Sequence, residues 1–189
     1  SADTLLLENE LYHALERDEL RLHYQPQFDC ATGRITGAEA LLRWEHQGRL
    51  IPPSDFIPLA EESGLIVSIG EWVLRKACTV AHHWRQSTGL SLRIAVNLSA
   101  VQLDRQDIAD TVSRVLKDTG LPPTALELEI TESVVVRESL RAADVLRQLR
   151  ALGVSIAIDD FGVGYSSFAY LRELPVDRFK LDRSFLTGV

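Results

Sequence analysis

The sequence predicts an α/β fold: a mainly parallel sheet closed into a barrel, with an antiparallel first strand, as one domain over residues 1–189. Three observations carry this. Strand-like and helix-like segments alternate, the pattern of a parallel sheet with helical crossovers. The first two strand segments are separated only by a tight Ala31-Thr32-Gly33 turn, which antiparallel strands allow and parallel strands do not. Five strand segments have one aliphatic face and one small or polar face, whereas an open doubly wound sheet wants apolar residues on both.

The elements follow in order. Residues 4–18 carry Leu7, Leu11 and Leu15 at helical spacing. Residues 20–29 and 35–46 read as strands, the first broken by Pro26. Ser54 predicts the N-cap of a short helix ending near Gly64, and residues 70–88 predict a longer helix closed by Gly89. A strand over 92–99 precedes a helix over 104–119 that stops at Gly120. A strand over 125–131 precedes a helix over 137–152 with Gly153 at its end. A strand over 154–160, a short helix over 166–174 and a last strand over 178–182 follow. No repeat, low-complexity tract or linker interrupts the pattern.

Composition narrows the function. A net charge of −7 and a pI near 5.2 argue against a DNA or RNA polymer as partner, which would call for a basic stripe. An anionic ligand here needs local groups or metal ions to hold it against the global field. Cys30 and Cys78 stand far apart in no metal-ligand spacing, so free thiols in a reducing cytosol are expected. No stretch approaches the ~18 apolar residues of a membrane span, and the opening residues lack the basic start and apolar centre of a signal peptide. The chain contains no methionine, so the expectation is a cytoplasmic domain cut from a larger protein.

Strand parity supplies the candidate site, because side chains alternate faces along a strand. Glu39 shares a face with Gly37, Leu41 and Arg43; Asn97 with Arg93 and Ala95; Glu129 with Glu127. Asp159 shares one with Ser155 and Ala157, and Lys180 with Arg178 and Asp182. If the aliphatic faces meet the helices, these faces converge at the C-terminal mouth of a barrel. The convergent set is Glu39, Asn97, Glu129, Asp159 and Lys180, with Asp160 entering the loop that follows.

Clustered carboxylates repel one another unless a cation sits among them. Oxygen ligands without cysteine or clustered histidine suit Mg²⁺ or Mn²⁺, and adjacent Asp159 and Asp160 suit two ions. A metal pair about 3.5–4 Å apart is the usual device for in-line displacement at phosphorus. Lys180 then orients the attacking water or neutralises developing charge, and Arg43 takes a non-reacting phosphate oxygen. Taken singly, these residues have plainer readings: Asp159-Asp160 as a solvated turn, Lys180 as the partner of Asp182 or Glu173. Gly162 and Gly164 read as backbone freedom rather than a phosphate cradle. Trp44, Trp72 and Trp84 read as packing, and His82-His83 as surface.

The same residues resemble a known family. Glu39-Ala40-Leu41 is the signature that names the EAL domain. The likeness extends to "HYQPQ" (23–27), "FIPLAEESGLI" (56–66), "VNLS" (96–99), "ELEITES" (127–133), "DDFGVGYSS" (159–167) and "FKLDRSF" (179–185), over essentially the whole chain. The resemblance implies a modified TIM (β/α) barrel with an antiparallel first strand, and a bacterial phosphodiesterase that hydrolyses cyclic di-GMP to linear pGpG with Mg²⁺ or Mn²⁺. It implies Glu39, Asn97, Glu129 and Asp159 as metal ligands, Asp160 on a second metal, and Lys180 on the attacking water. Glu132 would anchor the "DDFGVGYSS" loop, which couples metal binding to dimer contacts in this family. Gln25, Leu41 and Arg43 would touch the substrate, and Asp182 would sit there in support of Lys180.

The resemblance also implies a homodimer, and a parent chain carrying a sensor or diguanylate cyclase domain, with anchoring in the bacterial inner membrane left open. The family continues with a seventh strand bearing Ala-Glu-Gly-Val-Glu and an eighth bearing Gln-Gly-Tyr. Neither motif is in this sequence, so the barrel is expected to be C-terminally incomplete in this chain. Three other readings stand beside the hydrolase: a cyclic di-GMP receptor that binds without cutting, a regulatory module acting through dimer contacts, and a Schiff-base aldolase using Lys180. The full set of expected ligands in the covered region favours the hydrolase over the receptor.

Overall fold

A computed structural model describes residues 2–105, 107–132, 139–161 and 175–181. The short helix expected over 166–174 and the loop after Phe161 lie outside these residues. Helix α1 (Ala2–Ala14) leads into an antiparallel pair, β1 (Leu20–Phe28) and β2 (Ile35–His46). A short β3 (Arg49–Ile51) folds back on β2. Helices α2 (Pro53–Ser63) and α3 (Ile66–Thr88) then lead to β4 (Arg93–Asn97). Helices α4 (Ala100–Arg105) and α5 (Ile108–Thr119) lead to β5 (Leu126–Thr131), and α6 (Ser139–Ala151) to β6 (Ser155–Phe161). Strand β7 (Arg178–Leu181) is the last described element.

The sheet order is β1-β2-β4-β5-β6-β7, with every pair from β2 to β7 parallel. In a flat sheet, four spacings of about 4.8 Å would put β2 and β7 roughly 19 Å apart. Yet Lys180 Nζ on β7 lies 3.0 Å from Glu39 Oε2 on β2. The sheet therefore curls about its polar face, as the parity pattern requires. The other face is the core. Ile94, Val96, Leu126, Leu128, Ile130, Ile156 and Ile158 are buried, with α3 packed on β4 and α6 on β6. Each such side chain contributes roughly 1.5–3 kcal/mol on leaving water.

Several boundaries differ from the sequence reading, each for a physical reason. Helix α1 stops at Ala14 rather than Asp18, which adopts φ 52 and turns the chain into β1. Ser54 is not the cap of α2: Pro52 holds the cap position, Pro53 starts the helix, and the Ser54 hydroxyl donates to Asp55 Oδ1. Helix α3 begins at Ile66, so Gly70 lies inside it. That glycine admits Gln102 of α4, because a Cβ there would stand 2.0 Å from Gln102 Nε2. The helix expected over 104–119 is two, with Asp107 capping α5 by accepting from the Asp110 N–H. Strand β3 was not expected. It depends on Gln47 and Gly48, both left-handed, at the two central positions of the hairpin.

Candidate active site

The curled sheet brings Glu39, Asn97, Glu129, Asp159 and Lys180 together from five strands. Lys180 Nζ donates to Glu39 Oε2 at 3.0 Å and to Glu129 Oε2 at 2.7 Å, and lies 3.5 Å from Asp159 Oδ1. Asn97 Nδ2 donates to Glu39 Oε1 at 2.9 Å. One oxygen from each of Glu39, Glu129 and Asp159 falls within 4.8 Å of the others. Parallel pairing sets this: Asn97 is in register with Glu129, and Ala157 beside Glu129 is too small to fill the space that Lys180 crosses.

The electrostatics are unbalanced. Three carboxylates face one ammonium. Burial pushes the Glu129 carboxyl up to about 7, against the pull of the Lys180 hydrogen bond and charge. Burial alone would lower the Lys180 ammonium, but the hydrogen bonds and charges of Glu129 and Glu39 outweigh it and hold that group above the usual lysine range. Lys180 is thus a fixed cation and donor. A Schiff-base lysine needs the opposite shift, so the site does not favour the aldolase reading. Glu129 Oε1 is buried without a hydrogen-bond partner. An orphaned carboxylate oxygen inside a surplus of carboxylates fits a hard divalent cation.

The remaining predicted residues fall as follows. Gln25 pairs directly across from Glu39 on β1 and so shares its inward face. Leu41 and Arg43 line a cleft of about 500 Å³ that also reaches Asn97, Glu61 and Gln102. Asp160 has φ 54 at the end of β6 and is not one of the three convergent carboxylates. Glu132 is buried just beyond β5, while the loop it was expected to anchor lies outside the described residues. Asp182 also lies outside them. Trp44 is fully buried and its indole N–H donates to Glu19, which makes it a packing residue.

Two features escaped the sequence reading. Glu61 lines the cleft, and burial raises its carboxyl. Arg93, Glu127 and Arg178 form a second charged cluster inside the sheet. The signal for it was present: each lies on the inward parity of its strand, two or four residues before a member of the convergent set.

Fold and site together define a modified TIM (β/α) barrel whose mouth carries an acidic cluster that could hold a metal ion. The chain belongs to the EAL domain family, whose model matches residues 8–189. It is 48% identical over 97% of its length to a bifunctional diguanylate cyclase/cyclic di-GMP phosphodiesterase, MucR, of Pseudomonas aeruginosa, of which it spans 27%. It is 41% identical over 98% of its length to the cyclic di-GMP phosphodiesterase PdeR of Escherichia coli, spanning 28% of it. The chain thus covers about a quarter of these curated relatives. Among solved structures it resembles the PaMucR phosphodiesterase in complex with c-di-GMP, with a TM-score of 0.91 and 48% identity over 96% of this chain and 74% of that one. It also resembles the Xanthomonas citri FimX EAL domain in complex with c-diGMP, with a TM-score of 0.86 and 27% identity over 99% of this chain and 73% of that one.

Proposed function

We propose that this domain hydrolyses one phosphodiester bond of cyclic di-GMP to give linear pGpG. The observation that carries this is the convergence of Glu39, Glu129 and Asp159 around Lys180, with Glu129 Oε1 left unpaired. Homology to named cyclic di-GMP phosphodiesterases supports the substrate.

Glu39, Asn97, Glu129 and Asp159 would hold Mg²⁺ or Mn²⁺, with Asp160 serving a second ion. When bound, such ions supply Lewis acidity toward phosphate oxygens and a low pKa for water. The chain's own groups do the rest. Lys180, held protonated, donates at Nζ toward an attacking water and offsets the charge that develops at phosphorus. Arg43 takes a non-reacting phosphate oxygen, and Gln25 and Leu41 position the guanine end of the substrate. Glu132 anchors the loop after β6, and Asp182 supports Lys180. The working unit is a homodimer whose parent chain carries a sensor or diguanylate cyclase domain. Among the described residues no helix is long and apolar enough to cross a membrane, so inner-membrane anchoring of the parent would use other segments.

The test is release of pGpG from cyclic di-GMP with Mn²⁺ or Mg²⁺, followed by chromatography. Product with either ion and none with EDTA is the expected result. Saturable binding of cyclic di-GMP without product under both ions would overturn hydrolysis in favour of a receptor.

A further inference from the structure

The inward face carries a second charged layer, one step toward the N-terminal ends of the strands. Glu127 precedes Glu129 by two residues on β5, and Arg178 precedes Lys180 by two on β7, so each pair shares a face. Glu127 Oε2 lies 3.2 Å from Arg178 Nη1 and 3.6 Å from Arg93 Nη1, aligned with neither as a hydrogen bond. The Glu127 side chain is only 4% exposed.

Strands β5 and β7 are not neighbours. Two spacings, about 10 Å, separate them. Between them β6 presents Ser155 and Ala157, in register with Glu127 and Glu129. Those small side chains leave space for the β5 carboxylates to reach the β7 cations. The outer side chains of β7, Phe179 and Leu181, are 47% and 62% exposed, and β7 pairs with β6 alone among the described strands. The strand is held along its edge by pairing with β6, by the Phe161–Phe179 ring contact and by Asp177 just before it, which accepts from Arg150 and the Ile156 N–H. Its inward contacts with β5 and β2 add the tie across the barrel.

We propose that Glu127 is a positioning residue for Lys180: through Arg178 it fixes β7 so that the Lys180 ammonium stands between Glu39 and Glu129. Arg93 holds the Glu127 carboxylate from the β4 side. Glu127 touches neither substrate nor reacting atoms on this assignment. Its effect on turnover rests on the proposed hydrolysis, but its effect on Lys180 does not.

The metal-free protein supplies the test. Lys76, Lys117 and Lys180 are the lysines of the chain, and the first two are exposed. Acetylation by an amine-specific reagent, read by peptide mass spectrometry, gives the rate at Lys180 against two internal references. Glu127→Gln and Arg178→Gln should each speed labelling of Lys180 about tenfold relative to Lys76 and Lys117, and the double variant should add little to either. Arg178→Lys, which keeps the cation, should restore slow labelling. Unchanged Lys180 labelling in both single variants would overturn the proposal, as would an equal rise at all three lysines. Arg178 is half-exposed, so Arg178→Gln carries the test if Glu127→Gln fails to fold. In the hydrolytic assay, kcat should fall about tenfold with KM within about twofold, and Mn²⁺ affinity should not weaken. Loss of the kinetic effect with the labelling effect intact would count against the hydrolytic reading and leave the positioning role standing.

Discussion

The inward face holds two charged layers with opposite imbalances. The upper layer sets Glu39, Glu129 and Asp159 against Lys180 alone, a surplus of negative charge. The lower layer sets Glu127 against Arg93 and Arg178, a surplus of positive charge. The lower layer uses three of the upper layer's strands, β4, β5 and β7, two or four residues earlier along each. The difference teaches which layer calls for an added cation. Each layer buries a carboxylate oxygen without a hydrogen bond, Glu129 Oε1 above and Glu127 Oε2 below. The lower carboxylate already has two guanidinium groups within 3.6 Å, whereas the upper layer has one ammonium for three carboxylates. Burying a charge is costly unless it is paired, so the upper layer, with its surplus of carboxylates, is the candidate cation site and the lower one the proposed structural tie.

The largest expected effect comes from breaking the upper layer. Glu129→Ala should lower pGpG release by more than about 10²-fold, since loss of groups merely supporting a ligand already costs 10–100-fold. Initial rates under saturating Mn²⁺ check this.

Metal addition sharpens the contrast. Mn²⁺ at a hundred times its Kd should stabilise the native state by about 2.7 kcal/mol. At about 2–4 °C per kcal/mol for a chain of this size, Tm should rise roughly 5–11 °C. Glu129→Ala should abolish that rise in a thermal melt, whereas Glu127→Gln should retain it.

A third prediction separates packing from charge. Gly37 lies beside Arg93 in the β2–β4 pairing, and a Cβ there would meet the Arg93 carbonyl oxygen at 2.4 Å. Gly37→Ala should cost about 1–3 kcal/mol in denaturant unfolding. It should leave the Mn²⁺-induced Tm rise in place.

The smallest effect lies outside both layers. Glu19, 17% exposed, accepts hydrogen bonds from Trp44 Nε1 at 2.9 Å and His46 Nδ1 at 3.0 Å. Burial opposes its ionisation, but these bonds and the charges of His46 and Arg17 hold its carboxyl below the usual range. A lowered folded value adds stability that is present above the ordinary glutamate range and lost as pH falls through the folded value. Glu19→Gln should cost about 1–2 kcal/mol at pH 7. The gap from the unsubstituted protein should close as the medium is acidified below pH 4, measured by urea unfolding across pH.

Much of this was legible in the residues. Alternation along "RIAVN" and "SIAID" depends only on the two-residue period of a strand, so the inward parity of Asn97 and Asp159 followed without coordinates. Caps were less legible. Ser54 has the chemistry of an N-cap, but Pro52-Pro53 had already set the helix start. Gly70 looked like a boundary because a glycine's reason for being there, the approach of Gln102 from another helix, is invisible in its neighbours along the chain.

The sequence by itself determined the periodicities, the faces and the chemical type of each inward group, because these follow from local backbone geometry. Only the tertiary structure decided that Lys180 reaches Glu39 across four strand spacings, that Glu129 Oε1 is left unpaired, and that Glu127 lies between two arginines. Those are consequences of how far the sheet curls and how little Ser155 and Ala157 fill its inner face. Both depend on residues distant in sequence meeting in space.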